Sequence, residues 1–315
     1  MTLRESFKTV RKKIEVALIR MALLIVPFWP RWMILAGARL GGRIGFFCAR
    51  GQRRLALANM DIAFGEKKSA ADKKQLAVKS FQTMAMVFLD YFWFARRSNE
   101  RVRKYVRLDQ SMKDCYPAPP AVVVTAHFGS WELLSRAMAT YGYAHTAVFA
   151  PLSNPAASKI IEDYRTLENA EMIKMQGAVR GLLRSLHKGK YIALVMDQNT
   201  KPADGGIFVE FFGRPVPMST SAAILAERVN VPVVPLFCLA RLDGTYLIYA
   251  LPPIRAIDAP VGPDSVRDLT RKIASIYQQE IEKHPEQWMW MYKRWKHIEP
   301  GSPPGIYPYY AKPLY

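Results

Sequence analysis

The hydrophobic pattern changes character at Val122. From there on, short apolar runs of strand length alternate with stretches of helical periodicity. The runs predict strands at 121–126, His145–Ala150, about 171–175, Tyr191–Met196, Val231–Leu239 and Tyr246–Leu251. Helices are expected between them at about 130–141, 154–168, 178–188 and 219–229. Gly177 and Gly189 bracket the third helix, and Ser219 or Thr220 starts the fourth. This alternation predicts an α/β fold with a largely parallel central sheet flanked by helices on both faces.

Before Val122 the spacing is helical. Arg53–Phe64 reads as a helix closed by Gly65, Lys67–Lys74 as a solvated loop and helix start, and Ala71–Phe94 as a long helix with an apolar stripe. Such a stripe suits a core, and a deep lipid cleft would need the same lining. Residues 1–13 carry Arg4, Lys8, Arg11, Lys12 and Lys13 ahead of an apolar run from Ile14 to Trp29. Arg20, Pro27 and Pro30 interrupt that run, which falls short of the roughly 20 apolar residues that span a bilayer. More cations follow at Arg31, Arg39, Arg43, Arg50, Arg53 and Arg54. Charge on both sides favours a segment that enters and leaves one anionic leaflet, with a single span and an ordinary core helix as the alternatives. Ala36-Gly37-Ala38 has the form of a signal-peptidase site, but the flanking Arg31 and prolines argue against cleavage. Three parts are expected: a membrane-anchoring segment at 1–52, a single α/β domain at 53–299, and an extended Pro/Tyr-rich tail at 300–315.

Composition narrows the partners. The 315 residues include 45 Lys+Arg against 26 Asp+Glu, a formal net charge of +19, which calls for a polyanionic partner: nucleic acid, anionic lipid or an acidic carrier protein. Half the chain is hydrophobic, so it is not disordered. Cys48, Cys115 and Cys238 are far apart and form no C-x-x-C pair. That argues against structural zinc and a disulfide framework, and fits a reducing compartment.

The chemistry concentrates where the first predicted strand ends, in Val122-Val-Val-Thr-Ala-His127-Phe-Gly-Ser-Trp-Glu132. Ser130 is placed to cap the following helix. His127 falls at the carboxyl edge of the sheet, where α/β proteins bind ligands. Glu132, in the first helical turn, is within reach to hold the imidazole in one tautomer. The same two residues also fit a satisfied strand-end histidine and a favourable charge at a helix N-terminus.

The block His-Phe-Gly-Ser-Trp-Glu resembles the H-x-x-x-x-D/E signature of the lysophospholipid acyltransferase superfamily. More narrowly, it resembles the His-Phe-Gly-Asn-Trp-Glu block of the lipid A biosynthesis (lauroyl/myristoyl) acyltransferases, with Ser130 in place of the usual Asn. Further blocks are similar to that family in the same order: the helix Arg53–Phe64 with its Ala-x-x-Asn, the strand ending Asp197-Gln198, the segment Ile207-Phe-Val-Glu-Phe211-Phe-Gly213-Arg214-Pro, and Pro285-Glu-Gln-Trp-Met-Trp290-Met-Tyr-Lys-Arg294-Trp295. The likeness runs from about Arg53 to Trp295.

The resemblance implies an acyltransferase in which His127, steered by Glu132, takes a proton from an acceptor hydroxyl as it attacks a thioester directly. Arg165 stands where the family carries an arginine, suited to a phosphate or the oxyanion. Ser130, Asp197, Gln198, Arg214 and Arg294 complete the candidate site as substrate-binding or site-shaping residues. The Phe-rich segment ending at Arg214 suits an acyl-chain wall with a cation at its mouth. The closing tryptophans with Lys293, Arg294 and Lys296 suit either a membrane interface or a helix docked on the core. Arg180, Arg184 and Lys188 read as a solvated basic face.

No metal or cofactor is called for, since the acyl thioester is a co-substrate. Implied partners are an acyl carrier protein or coenzyme A thioester, an anionic glycolipid acceptor and the cytoplasmic face of the inner membrane. A hydrolase with Ser130 or Thr125 as nucleophile is disfavoured because the chain has no G-x-S-x-G elbow. A non-enzymatic nucleic-acid binder is disfavoured because no recognised binding motif is present.

Overall fold

The computed structural model describes residues 3–241, 243–255 and 263–314, apart from the side chains of 3–8, 263 and 304. The expected cations Arg4 and Lys8 lie outside the described side chains. The helical first third forms as the periodicity requires. Helices α1 (Leu3–Ile25) and α2 (Arg31–Cys48) are separated where Pro27 and Pro30 interrupt the backbone hydrogen bonds. Helix α3 (Arg50–Phe64) stops at Gly65, whose φ of 48° suits a residue without a Cβ. Helix α4 (Ala70–Trp93) opens with a capping box between Ser69 and Asp72.

Among the described residues no helix is long and apolar enough to cross a membrane. Nor is the N-terminal stretch separate from the domain. Helix α2 lies against α4 so closely that a Cβ on Gly42 would stand 2.4 Å from the Gln82 Cα. Its Phe46 is buried in the core. Arg31, expected among the headgroup-facing cations, instead turns inward. It forms a two-pronged ion pair with the buried Asp90 of α4, and its Nη2 donates 2.7 Å to the Gly244 carbonyl. Tyr246 donates its hydroxyl to the same carboxylate, and the Trp93 ring lies 4.8 Å from the guanidinium.

Helix α5 (Ser98–Tyr105), strand β1 (Val106–Leu108) and the short α6 (Ser111–Asp114) lead into the α/β region. There the order is β2 (Val122–Thr125), α7 (Trp131–Thr140), β3 (His145–Phe149), α8 (Pro155–Arg165), β4 (Ala170–Lys174), α9 (Ala178–His187) and β5 (Tyr191–Val195). A hairpin of β6 (Gly206–Phe211) and β7 (Arg214–Ser219), helix α10 (Ser221–Val229), β8 (Val233–Ala240), β9 (Tyr246–Ala250) and α11 (Pro263–Lys283) follow. Seven strands form one sheet in the order β1-β9-β8-β2-β5-β3-β4, parallel except for the β8–β9 pair. Val122 and Val124 pack on one face with α9, α10 and α11. Val123 packs on the other with α7 and the end of α4. Burial on both faces is why these strands read as continuous apolar runs.

The hairpin is built on a two-residue turn, Phe212 and Gly213, both at positive φ. Its aromatic rings are not exposed as a cleft wall. Phe211 is 1% exposed and packs 5.8 Å from Trp288 and 5.9 Å from Trp295. The 300–315 tail is likewise docked rather than laid loosely over the surface. Strand β11 (Lys312–Pro313) pairs with β10 (His297–Ile298), and the buried Tyr310 donates to Asn59 of α3.

Removing one partner of the Arg31–Asp90 pair leaves the other buried and uncompensated. Asp90→Ala and Arg31→Ala should each lower the unfolding free energy by about 3–5 kcal/mol, measured by denaturant titration in detergent. A loss under about 1 kcal/mol would mean that the pair does not hold α2 to the domain.

Candidate active site

Strands β2 and β5 are parallel neighbours with Thr125 opposite Val195. His127 and Asp197, each two residues further on, therefore leave the sheet at the same height on its carboxyl edge. The Asp197 carboxylate is 3% exposed and accepts three hydrogen bonds. One Oδ takes His127 Nδ1–H at 2.7 Å. The other takes the His127 backbone N–H at 3.0 Å and the Trp288 indole N–H at 2.8 Å.

The loop after β2 is fixed by what surrounds it. Gly129 donates its N–H to the Gln287 carbonyl (2.8 Å), Met289 N–H donates to the His127 carbonyl (3.1 Å), and Phe128 bridges Trp288. On the other side the Ser130 N–H donates to the Cys238 carbonyl of β8 (2.9 Å). The Gln287 side-chain amide both donates to and accepts from the Ala240 backbone at 3.2 Å. Gly129 sits at φ 54°, and a Cβ there would stand 2.0 Å from the Cys238 oxygen. Both the backbone angle and the close approach demand glycine.

This geometry reassigns the imidazole's partner. Glu132 was expected to hold His127, yet Asp197 holds it, because adjacent parallel strands bring their ends together while the first turn of α7 leads away. Glu132 is instead paired with Arg165, whose Nε and Nη2 reach its two oxygens at 3.1 and 2.5 Å. Arg165 is therefore a carboxylate partner here rather than an open phosphate fork. The two pairs remain coupled through charge. Burial lowers the His127 pKa, but Asp197 first and Glu132 second outweigh it, and the imidazole is held above its ordinary value. Burial raises Asp197, and the bonds from His127 and Trp288 outweigh that, keeping the carboxyl below its usual range.

With Nδ1–H committed to Asp197, Nε2 is the atom left to take a proton. Among the described residues, its hydrogen-bond contact is the Gln198 amide nitrogen at 3.3 Å. The His127 side chain keeps 18% exposure, so this edge can be reached. No hydroxyl or thiol among the described residues is hydrogen-bonded to His127. The arrangement can act as a general base on an incoming alcohol, and it carries no nucleophile of its own.

The remaining candidates are scattered by comparison. Ser130 is 1% exposed and gives α7 no side-chain cap. Its backbone, not its hydroxyl, fixes the loop. Arg294 is also 1% exposed. It donates to Asn199 Oδ1 and the Pro217 carbonyl at 2.8 Å, lies over Phe211, and is drawn down to about 10 by burial. It is a buried tie rather than a membrane-facing cation. Trp288, Trp290 and Trp295, 0–1% exposed, are core residues too. They follow a short 3-10 turn at Pro285–Gln287 rather than forming a helix. Arg214 donates to the carbonyls of Ile306 and Gly213 at 2.9 Å and so fastens the tail. The Trp288 indole donor escaped sequence reasoning, which assigned that residue to packing; its place in the Pro-Glu-Gln-Trp block was the available signal.

The sequence profile of the bacterial lipid A biosynthesis acyltransferases matches residues 4–297. The chain belongs to that family. It is an acyltransferase. Among curated relatives, the lipid A biosynthesis acyltransferase of Haemophilus influenzae is 23% identical, with 82% of each chain covered. The lipid A biosynthesis lauroyltransferase of Escherichia coli is 24% identical over 84% of this chain and 87% of its own. A phosphatidylinositol mannoside acyltransferase of Mycobacterium tuberculosis is 24% identical over 56% of this chain and 54% of its own.

Two substitutions test the site's architecture. Gly129→Ala should cost more than about 2 kcal/mol of stability by calorimetry; a normal melting temperature would show that the loop can withdraw from β8. Trp288→Phe keeps the ring but removes the donor. It should reduce kcat/KM by about 10- to 100-fold, the worth of one hydrogen bond to a buried charge. Unchanged kinetics would mean that the indole N–H does not support Asp197.

Proposed function

We propose that this acyltransferase moves a fatty acyl chain from an acyl carrier protein or coenzyme A thioester to a hydroxyl of a lipid A precursor or related anionic glycolipid. The work takes place at the cytoplasmic face of the inner membrane. The observation that carries the chemistry is the Asp197–His127 pair, whose Nε2 keeps a long 3.3 Å contact to the Gln198 amide that an incoming hydroxyl would displace. Asp197 keeps the proton on Nδ1. His127 Nε2 accepts the acceptor's proton as its oxygen bonds to the thioester carbonyl carbon. The carbonyl oxygen becomes an oxyanion, beside which the Gln198 amide is the available donor. Collapse breaks the C–S bond, and the imidazolium returns its proton to the leaving thiolate. Ester, thiol and neutral imidazole result. Glu132, fixed by Arg165, supports the imidazolium through its charge.

The acceptor class is supported by the relatives, whose names specify lipid A or phosphatidylinositol mannoside. Membrane association is supported by the N-terminal helices. Ile14, Leu18 and Leu24 on α1, Phe28 after it, and Trp32 and Phe47 on α2 are exposed, with Lys12, Lys13, Arg43 and Arg50 exposed around them. That combination suits helices lying in the headgroup region.

The test is acyl transfer followed by mass spectrometry, with thioesters of several chain lengths and a lipid A precursor. His127→Ala and Asp197→Asn should each reduce transfer by about 100- to 10,000-fold. Undiminished transfer in His127→Ala would refute the general base. The pH profile adds a signed check. The base form of a histidine whose pKa is raised appears only as pH climbs through that pKa. The acidic limb of kcat/KM should therefore lie above the ordinary histidine value of about 6.5. In Asp197→Asn, burial loses its main opponent, and the limb should move to lower pH while the plateau falls. A limb that stays in place would mean that another group titrates.

A further inference from the structure

Outside the imidazole cluster, four lysines are exposed on segments tied to the loop after β5 or to one another: Lys201, Lys293, Lys296 and Lys312. They come from three segments that are tied together. Arg294 donates to Asn199 Oδ1 at 2.8 Å, and the Asn199 side chain donates to the Lys293 carbonyl at 2.9 Å. The Asn199 backbone N–H donates to the Tyr292 hydroxyl at 3.0 Å, and the Lys312 N–H donates to the Lys296 carbonyl at 2.9 Å. Among the described residues none of the four lysines forms an ion pair. The charges of Lys296 and Lys201 both depress the pKa of His297, after burial, so each is within electrostatic reach of that side chain. Unpaired cations on rigid loops repel one another unless an anion sits among them.

The cluster connects two places. At one end, Gln198 precedes Asn199 and reaches His127 Nε2. At the other, the tail carries Tyr309, whose ring lies 4.0 Å from the Arg54 guanidinium of α3. The neighbouring Arg53 donates to the Phe46 and Phe47 carbonyls of α2 at 3.4 and 3.3 Å. Phe47 belongs to the exposed apolar face. Positive charge thus runs from the lipid-facing side of α2 to the base.

We propose that this lysine strip binds a phosphate group of the anionic glycolipid acceptor and guides the headgroup from the bilayer surface to His127. The proposal rests on the acyltransferase reading above. A thioester donor also carries phosphate, but continuity with the apolar face of α2 favours the lipid as the source.

The experiment compares the full-length wild-type protein with Lys201→Gln/Lys296→Gln and with Lys201→Arg/Lys296→Arg, using acceptors with and without their phosphate groups. For the Gln variant, KM for the phosphorylated acceptor should rise about tenfold or more, as expected for a lost charge-assisted contact. KM for the donor should hold, wild type and variant should converge on the dephosphorylated acceptor, and the Arg variant should restore most of the loss. A rise in the donor's KM instead would assign the strip to the donor and overturn the proposal; so would equal kinetics with both acceptors. An arm independent of turnover reads lysine acetylation by mass spectrometry. Phosphorylated glycolipid should protect Lys201 and Lys296, and its dephosphorylated form should not. If wild type is protected but transfers nothing to that lipid, the proposed acceptor fails while the phosphate site stands. Equal labelling with either lipid would overturn the site.

Discussion

The buried Asp197 carboxylate is the constraint on which the active edge depends. A carboxylate removed from water must be satisfied by donors, and this one recruits three of them from two segments distant from it in sequence. It lies beyond β5, the imidazole lies beyond β2, and the indole arrives from the closing aromatic block. Losing any one donor leaves part of a buried charge uncompensated, so catalytic geometry and local folding are the same requirement. That explains why Trp288, beside the imidazole pair, is fully buried. It donates to the carboxylate, and the Trp290 and Trp295 rings pack around it, which strengthens the carboxylate's hold on the imidazole.

Most of the sheet was legible in the sequence. The strands at 122–125, 145–149, 191–195 and 246–250 fall inside predicted runs because burial on both faces leaves a continuous apolar signature. The β6–β7 hairpin was read as a Phe-rich wall, since two positive-φ turn residues cannot be seen when one of them is Phe212. Strand β1 is three residues long, too short to show a period, and α11 was not assigned. In the site, His127 and Asp197 were both identified, but their pairing depends on strand order. The sequence places β3 and β4 next after β2, whereas the chain returns to insert β5 beside β2. Sequence proximity favoured Glu132; topology favoured Asp197.

The net charge of +19 also separates into distinct roles once the positions are known. Arg31, half-buried, and Arg294, fully buried, serve as internal ties, one holding α2 and the other holding the loop after β5 to the hairpin. Arginine suits both tasks because its planar fork spreads several hydrogen bonds over fixed directions. The exposed strip beside the base is lysine throughout. Under the proposed function, those hydrated point charges on flexible stems would follow a moving headgroup without demanding one geometry.

Helix α4 links these parts. Asp90 accepts the Arg31 pair that holds α2, and the next residue, Tyr91, packs 4.5 Å from Tyr164 with the Arg165 guanidinium 6.0 Å from its ring. Asp90, Tyr91, Tyr164, Ser130 and Glu132 line one small, partly open pocket. Two consecutive residues on a single helical turn therefore fix the apolar face on one side and the Glu132–Arg165 pair on the other. A shift of α4 would move the exposed apolar face of α2 and the charge beside His127 together. The position of that apolar face relative to His127 is thus set by packing within the domain.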